Sequence, residues 1–290
     1  MGRSLRDQRS VHRMSDATSS FRNGSAEDFR CFRGQRRLET HMSEIPYHFH
    51  RNVHSLAGAR HTLAYLLAGG TYASLLDVGA GLGNWLRAAR EMGINDVLGV
   101  DGAAADSADL HVEATRIKTF DLRQPLSLGR RFDVVLCLEV AEHLHEESAA
   151  IIVETLCAHG DCIFFSAAAP GQHGEHHVNC QWPTYWQALF NARGYTCHDD
   201  MRSIIWNDSM IEPWYRQNIF SARRDPERAG KEPRIQHLIH PEMTPHMDFP
   251  DSPIARRHSD LSQGKYHPAH YLRLLNRSVG QRYGVRLPVR

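Results

Sequence analysis

Short apolar segments that alternate with helical segments constrain the fold of this chain more than any other feature. Ser74–Gly79, Asp96–Asp101 and Cys162–Ser166 are mainly apolar, and segments with helical spacing separate them. Strands this short and this apolar are typical of sheets that are covered on both faces, and alternation with helices favours parallel pairing. The sequence therefore predicts an α/β fold with a doubly wound, mostly parallel sheet and helices on both faces.

The same patterns predict the individual elements of this domain. Seven strands are expected at residues 74–79, 96–101, 116–121, 132–138, 162–166, 195–202 and 218–223. Four helices are expected at residues 54–68, 84–92, 147–159 and 183–193. The sheet should accordingly have seven strands.

The ends of the chain differ from this central region. Residues 1–41 are polar, rich in Arg and Ser, and without periodicity, so we expect a disordered N-terminal segment, with Met42 as a candidate natural start. Residues 42–224 form the predicted domain. Residues 225–290 are rich in Pro, His and Arg, which predicts an irregular C-terminal arm, with a closing helix at Tyr266–Arg277.

Charge and composition exclude several classes of protein. The formal net charge is only +1, so no overall field favours nucleic acid or an anionic membrane. No apolar run reaches the ~18 residues that a membrane-spanning helix needs. The six cysteines include no CxxC pair, and a disulfide framework is not expected in a chain of 290 residues. We therefore expect a cytoplasmic protein without a membrane span; its oligomeric state is open.

The glycine-rich sequence after the first strand is the strongest functional signal. Gly79, Gly81 and Gly83 alternate with Ala80 and Leu82 between a strand and a helix. Glycines let the backbone turn tightly and approach a ligand closely, and a helix N-terminus offers unpaired N–H groups. A dinucleotide fold would need the spacing GxGxxG, whereas this loop reads GxGxG. This spacing argues against an NAD-dependent dehydrogenase.

Three acidic residues follow the ends of successive strands. Asp77 precedes the first glycine by two positions, where a carboxylate suits an amino-bearing or cationic ligand better than a phosphate. Asp101 ends the second strand and can accept the two ribose hydroxyls of a nucleoside. Asp121, followed by Leu122, is placed to contact an adenine. Each acid alone could be a turn or cap residue, but their joint spacing favours an adenosyl ligand.

The segment from Leu75 to Gly194 resembles the class I S-adenosylmethionine-dependent methyltransferases, whose first motif reads like DVGAGLG. The resemblance implies a Rossmann-like fold and S-adenosylmethionine as cofactor. It also implies the following cofactor contacts: Gly79, Gly81, Gly83, Asp101, Asp121 and Leu122. Asp77 joins them as a candidate because of its place before the loop.

A second group of polar residues follows strands four and five. Glu139, Glu142 and His143 have the i, i+3, i+4 spacing that places side chains on one face of a helix. Residues 170–179, which we call the histidine loop, contain His173, His176 and His177. Carboxylates and imidazoles together suit Mn, Fe or Zn at least as well as Mg.

The ExxEH pattern with a later histidine resembles the metal sites of small-RNA 2′-O-methyltransferases and of ubiquinone-pathway O-methyltransferases. The resemblance implies Glu139, Glu142, His143 and His176 as ligands of a divalent metal ion. The alternative is that Glu142 and His143 only begin a helix, as they do in many proteins of this fold.

The expected reaction is methylation of a hydroxyl on a sugar or another small acceptor. Such an acceptor must lose a proton to a general base or through a Lewis-acidic ion. His143 and His176 are the candidate catalytic residues, and each could take the proton or hold a metal, but not both. The alternatives are an RNA 2′-O-methyltransferase, which the charge does not favour, and a non-catalytic protein that binds S-adenosylmethionine.

Aromatic residues give a looser indication of the acceptor. The pattern HHVNxQWPxYW at residues 176–186, followed by WYRQN at 214–218, resembles methyltransferases encoded with bacterial cell-surface glycan genes. The resemblance implies a small-molecule or glycan acceptor. For Trp186 a place in the core is the favoured explanation.

Overall fold

The computed structural model describes residues 54–247, 265, 267–269 and 271, and within them strands and helices alternate. The helices are α1 (Leu56–Leu66), α2 (Asn84–Glu91), α3 (Ala149–His159), α4 (Pro183–Asn191), α5 (Asp200–Ile205) and α6 (Pro213–Asn218). The strands are β1 (Ser74–Val78), β2 (Asp96–Asp101), β3 (Ile117–Thr119), β4 (Val134–Leu138), β5 (Cys162–Ser166), β6 (Tyr195–His198) and β7 (Phe220–Arg224).

Within the described residues, the strands form one sheet of seven in the order β3-β2-β1-β4-β5-β7-β6. Strands β1 to β5 pair in parallel, and β7 runs antiparallel to both β5 and β6. The chain changes its direction of travel across the sheet between β1 and β4, which are neighbours. Ligands of open α/β sheets bind outside the carboxyl ends of the strands at such a point. The predicted Rossmann-like fold is confirmed.

Two apolar layers cover the two faces of this sheet. Successive residues of a strand point to opposite faces, and Leu76 of β1 accordingly packs in one cluster while Leu75 packs in the other. The first layer contains Leu156 of α3 and Phe190 of α4. The second contains residues of α1, α2 and α6, among them the fully buried Leu63. Helices therefore lie on both faces, as predicted.

The observed boundaries of the helices and strands differ most from the predicted ones near the end of the domain. The predicted strand 195–202 is wrong beyond His198, because residues 200–205 form α5. The predicted strand 218–223 begins instead at Phe220, because Asn218 ends α6. Pro213 stands in the first turn of α6, where its missing N–H costs nothing. Both helices have six residues, too few for a clear helical period in the sequence.

Residues 225–247, which we call the C-terminal segment, are irregular except for a 3₁₀ helix at Pro241–His246. They nevertheless pack against the domain, and Ile235, His240 and Met243 are buried. Of the predicted closing helix, the described positions 268, 269 and 271 are helical. The predicted disordered segment 1–41 lies outside the described residues.

None of the helices in the described part of the chain combines the length and the apolar character that a membrane crossing requires.

Candidate active site

Residues 79–83, which we call the glycine loop, connect β1 to α2 at the carboxyl edge of the sheet. Gly79, Gly81 and Gly83 have φ angles of +87°, +51° and +85°, a left-handed backbone that side chains disfavour. A Cβ atom on Gly79 would lie 2.2 Å from Cγ2 of Val140, and one on Gly83 would lie 2.9 Å from Cγ2 of Val112. Backbone conformation favours glycine at all three positions, and close packing also favours it at Gly79 and Gly83.

Asp77 lies under this loop and is buried, with 1% of its surface exposed. Its Oδ2 has no hydrogen-bond partner among the described residues. Burial and the nearby carboxylate of Asp101 raise the pKa of Asp77 to about 8. A buried acceptor without a donor is costly, so this position suits a ligand that brings its own N–H groups.

Asp101 ends β2 and faces the same loop. Its Oδ2 accepts a hydrogen bond from the Gly81 N–H at 2.7 Å, and its Oδ1 accepts one from the Ala103 N–H at 2.8 Å. Burial raises the pKa of Asp101, and these backbone donors partly offset that effect. The carboxylate is thus fixed against the glycine loop, as a residue that contacts a nucleoside at this edge must be.

Asp121 and Leu122 follow β3. Two nitrogens of the Arg123 guanidinium donate to the Asp121 carboxylate, at 2.8 Å and 2.9 Å, and the hydrogen bond from Arg123 lowers the pKa of Asp121. Leu122 is buried in the core. The Asp121 carboxylate therefore already has a cationic partner, and a ligand at this position would share it with Arg123.

The second half of the site begins at Glu139, directly after β4. Its φ angle is +55°, an uncommon conformation for a residue with a side chain. The backbone N–H of Glu139 donates to the Ser166 carbonyl at 3.0 Å, which ties the ends of β4 and β5 together. Glu139 adjoins Val140, which packs against Gly79, so the backbone at Glu139 lies near the glycine loop.

Glu142 is fully buried on the 3₁₀ turn Ala141–His143. Neither of its carboxylate oxygens makes a hydrogen bond of ordinary geometry with the described residues, although the Ala168 backbone and the Glu139 carboxyl lie close to them. Burial, reinforced by the charge of Glu139, raises the pKa of Glu142 well above its ordinary value. Its backbone carbonyl accepts hydrogen bonds from the N–H groups of Val178 and Asn179, at 2.9 Å and 3.0 Å. The histidine loop is therefore held against this turn.

Ligand atoms of Glu142, His143 and His177 all lie within 4.8 Å of one another. The two imidazole rings meet edge to face, with centroids 5.1 Å apart, and the Nδ1 of His177 lies 3.0 Å from the Gln172 carbonyl. Burial and the proximity of His177 lower the pKa of His143 to about 4. Two imidazoles and a carboxyl group with unused oxygens thus face one small space.

The structure brings together only some of the residues predicted for this metal and catalytic site. Glu142 and His143 belong to the group, whereas Glu139 and His176 lie outside it. His176 is exposed, with φ at +55°, whereas the adjacent His177 lies within the group. The roles of Glu139 and His176 stay predictions.

Sequence reasoning missed the amide side chains that surround Glu139. Gln172 Nε2 donates to Glu139 Oε2 at 3.0 Å, and Asn218 Nδ2 donates to Glu139 Oε1 at 3.1 Å. Both residues stand in motifs that the sequence singled out, the histidine loop and WYRQN, but for other reasons. No spacing rule links residues that are 33 and 79 positions from Glu139.

His54 was also missed, since it stands just before the first helix. Its Nδ1 lies 2.6 Å from the hydroxyl oxygen of Tyr215, and its carbonyl accepts a hydrogen bond from Asn84 at 3.2 Å. Burial, with the proximity of His143, lowers the pKa of His54 to about 4. The start of α1 therefore lies near both the glycine loop and His143.

The solved structures that resemble this chain include several methyltransferases. The plantazolicin methyltransferase BpumL, solved with a desmethyl analogue and SAH, is 16% identical over 59% of this chain and 84% of its own, with a TM-score of 0.41. The magnesium protoporphyrin IX methyltransferase of Synechocystis PCC 6803, with bound SAH, is 19% identical over 59% of this chain and 83% of its own (TM-score 0.44). DesVI of Streptomyces venezuelae is 16% identical over 58% and 91% (TM-score 0.44).

No match was found among curated proteins. A family model described as a methyltransferase domain, however, matches residues 47–199, which is slightly more than half of the chain. This range includes the glycine loop, the three acids and the histidine loop. It confirms the predicted activity, a methyltransferase with S-adenosylmethionine as its cofactor. The chain belongs to this family of methyltransferase domains.

Proposed function

We propose that this enzyme methylates a hydroxyl group of a sugar or of another small hydroxylated molecule. One observation carries the proposal: Glu142, His143 and His177 gather at the carboxyl edge of the sheet, beside the glycine loop. Transfer of a methyl group from a sulfonium requires a nucleophile held in line with the carbon–sulfur bond. A hydroxyl becomes such a nucleophile only when a neighbouring group removes its proton.

The cofactor is assigned to the glycine loop and its acids. In this proposal the unpartnered Oδ2 of Asp77 accepts from the amino group of S-adenosylmethionine, and Asp101 accepts from the ribose hydroxyls. Asp121 and Leu122 lie beside the adenine. The three left-handed glycines leave room for the ligand to approach the backbone. When bound, S-adenosylmethionine supplies an electrophilic methyl group on a positively charged sulfur.

Removal of the proton from the acceptor hydroxyl is assigned to His143 or His177. Burial lowers the pKa values of both imidazoles, that of His143 to about 4, so both rings are neutral at pH 7. A neutral imidazole can accept a proton in the transition state, whereas a charged one cannot. The same neutrality lets the ring nitrogens bind a metal.

Glu142, His143 and His177 also fit a divalent cation. The two buried Glu142 oxygens make no hydrogen bond of ordinary geometry within the described part of the chain, and a cation is one partner that would satisfy them. One carboxylate with two imidazoles is a donor set that suits Mn, Fe or Zn. A bound cation would supply Lewis acidity that favours loss of the hydroxyl proton. The imidazoles then hold the ion, and proton removal falls to another group.

Methyl-labelled S-adenosylmethionine, added with the enzyme to a whole host extract that keeps its small molecules, tests the acceptor class. We expect the label in the carbohydrate or small-molecule fraction, as an ether that survives mild acid and base. Label in proteins, or on nitrogen or carbon, would contradict the proposal. Label in RNA would support the alternative 2′-O-methylation, and cofactor binding without any transfer would support a non-catalytic protein.

The same incubation with a chelator tests the cation. If a cation assists proton removal, the chelator should lower incorporation and added Mn²⁺ or Zn²⁺ should restore it. If an imidazole takes the proton unaided, the chelator should have no effect. In both cases the acceptor fraction stays the same, so the two questions are answered separately.

A further inference from the structure

A continuous chain of hydrogen bonds runs from the C-terminal segment to Glu139. The backbone N–H of His240 donates to Gln217 Oε1 at 2.9 Å. Gln217 Nε2 donates to Gln172 Oε1 at 3.2 Å, and Gln172 Nε2 donates to Glu139 Oε2 at 3.0 Å. Every donor in this chain, which we call the amide chain, points towards the carboxylate.

Asn218 reinforces the amide chain at its centre. Its Nδ2 lies 3.0 Å from Gln172 Oε1 and 3.1 Å from Glu139 Oε1, and its Oδ1 accepts from Gln217 Nε2 at 3.1 Å. Gln172, Gln217 and Asn218 are all buried. A buried network of satisfied amides holds one geometry, because any other arrangement leaves polar groups without partners.

The C-terminal segment also holds the histidine loop directly. The His173 N–H donates to the His246 carbonyl at 2.9 Å, and Gln172 pairs with Met247 in an isolated antiparallel bridge. Met243 and Met247 pack against Ala169 at the start of the loop. The loop that carries His177 thus rests on the C-terminal segment along its first half.

The C-terminal segment has its own anchor on the other side of Gln217. The guanidinium of the buried Arg216 donates to the Glu242 carboxylate at 2.7 Å and to the Trp206 carbonyl at 3.1 Å. Residues 213–218 and 235–247 lie beyond residue 199, where the family match ends. Most residues of the amide chain therefore lie in the part of the polypeptide that the family model does not cover.

We infer that Gln217 is a positioning residue of the acceptor site, through which the C-terminal segment sets the orientation of Glu139 and of the histidine loop. This inference rests on the proposed function, because it assigns the loop to acceptor methylation. Gln217 acts through Gln172 and Asn218, to which its Nε2 donates, while its Oε1 accepts from the His240 N–H.

Gln217→Met tests this inference, because methionine keeps the length of the side chain and removes both hydrogen-bonding groups. Gln187→Met is its matched control. Gln187 is also buried, and its Nε2 donates at 3.0 Å to both Glu232 Oε1 and the Pro233 carbonyl, while its Oε1 accepts from the Ile235 N–H. Both glutamines therefore hold the C-terminal segment, but only Gln217 continues to Glu139.

Hydrogen exchange of the full-length protein gives a readout that needs no acceptor. We expect Gln217→Met to speed exchange of the Val178 and Asn179 amides about tenfold or more at equal global stability, and Gln187→Met to leave it at the wild-type rate. Equal exchange in the two variants would overturn the inference. Should Gln217→Met fail to fold, Gln172→Met, which removes the next amide of the chain, must give the same result.

Kinetics with an acceptor found in the labelling experiment give the second readout. We expect Gln217→Met to lower kcat about tenfold with KM for S-adenosylmethionine unchanged, and Gln187→Met to change neither. An unchanged kcat for Gln217→Met would overturn the inference. If labelling finds no hydroxyl acceptor, the proposed function fails, whereas the exchange experiment still decides whether the amide chain holds the loop.

Discussion

Gly79 of the glycine loop and Val140 beside Glu139 pack so closely that a Cβ atom on Gly79 would lie 2.2 Å from Cγ2 of Val140. The first residue belongs to the turn after β1, and the second follows β4. Because β1 and β4 are neighbours in the sheet, this contact joins the proposed cofactor half of the site to the proposed acceptor half. A change at either residue should therefore affect both halves.

Gly79→Ala should destabilise the protein more than Gly93→Ala. Both glycines have left-handed φ angles, +87° and +95°, so each alanine costs about 1 kcal/mol of backbone strain. A Cβ atom on Gly93 meets nothing within 4 Å, whereas one on Gly79 collides with Val140, which adds about 1–3 kcal/mol. Urea unfolding measures the difference. Equal losses of unfolding free energy in the two variants would show that the Val140 side chain moves aside at little cost.

His177→Ala should lower turnover at least about 100-fold, since a positioned general base or a metal ligand is removed. His176→Ala is the matched control, because His176 is the adjacent residue, exposed and outside the group formed with Glu142 and His143. It should retain turnover within about twofold. Single-turnover methylation of the identified acceptor measures both. A large loss in His176→Ala alone would restore the assignment made from the sequence pattern.

Asp77→Asn should stabilise the ligand-free protein at pH 8. The pKa of Asp77 is raised from 3.8 to about 8, so the folded protein binds a proton that the unfolded chain releases. Wild-type stability from this group is complete below pH 3.8 and is lost as the pH rises towards 8. The Asp77→Asn side chain does not titrate, so the variant keeps its stability as the pH rises. Its free energy of unfolding at pH 8 should exceed that of the wild type by about 1–3 kcal/mol. Thermal unfolding between pH 5 and pH 8 measures it, and parallel curves would contradict the assignment.

Binding of S-adenosylmethionine should release close to one proton at pH 7. Asp77 is mostly protonated in the free protein at this pH, and an ammonium group placed beside it favours the ionised carboxylate. Calorimetry in two buffers with different ionisation enthalpies measures the released proton. In Asp77→Asn the release should disappear and the affinity should fall about tenfold. Proton release that persists in the variant would place the linked group elsewhere.

Glu232→Gln should loosen the C-terminal segment. Burial raises the pKa of Glu232, but hydrogen bonds from Gln187, Asn191 and the Cys197 N–H outweigh it and hold the pKa at about 2. Its contribution to stability is therefore complete above pH 4.5 and is lost as the pH falls towards 2. We expect Glu232→Gln to lower the free energy of unfolding by about 1–2 kcal/mol at pH 7 and by less at pH 3.

Glu227→Gln is the control for this prediction, because Glu227 is exposed in the same segment. Urea unfolding at pH 7 and pH 3 should show almost no change for it at either pH. A loss in Glu232→Gln that stays constant between the two pH values would show that shape, not charge, anchors the segment.

The parallel part of the fold could be predicted from the sequence because its signals are local. Runs of buried apolar residues locate strands such as Asp96–Asp101 and Cys162–Ser166, which the structure reproduces to the residue. α5 and α6 could not be predicted, since six residues are less than two helical turns and only their packing makes them helical. The antiparallel insertion of β7 between β5 and β6 likewise has no local signal.

The proposed cofactor site and the proposed acceptor site also differ in how far local sequence signals predict them. The sequence by itself determined the glycine loop and its acids, because a left-handed backbone favours glycine at fixed spacing and strand ends fix where Asp77 and Asp101 stand. Only the tertiary structure decided that His177 rather than His176 joins Glu142 and His143, and that amides of the histidine loop and α6 hold Glu139. These contacts join segments far apart in the chain, and which of two adjacent histidines turns inward depends on how the loop packs.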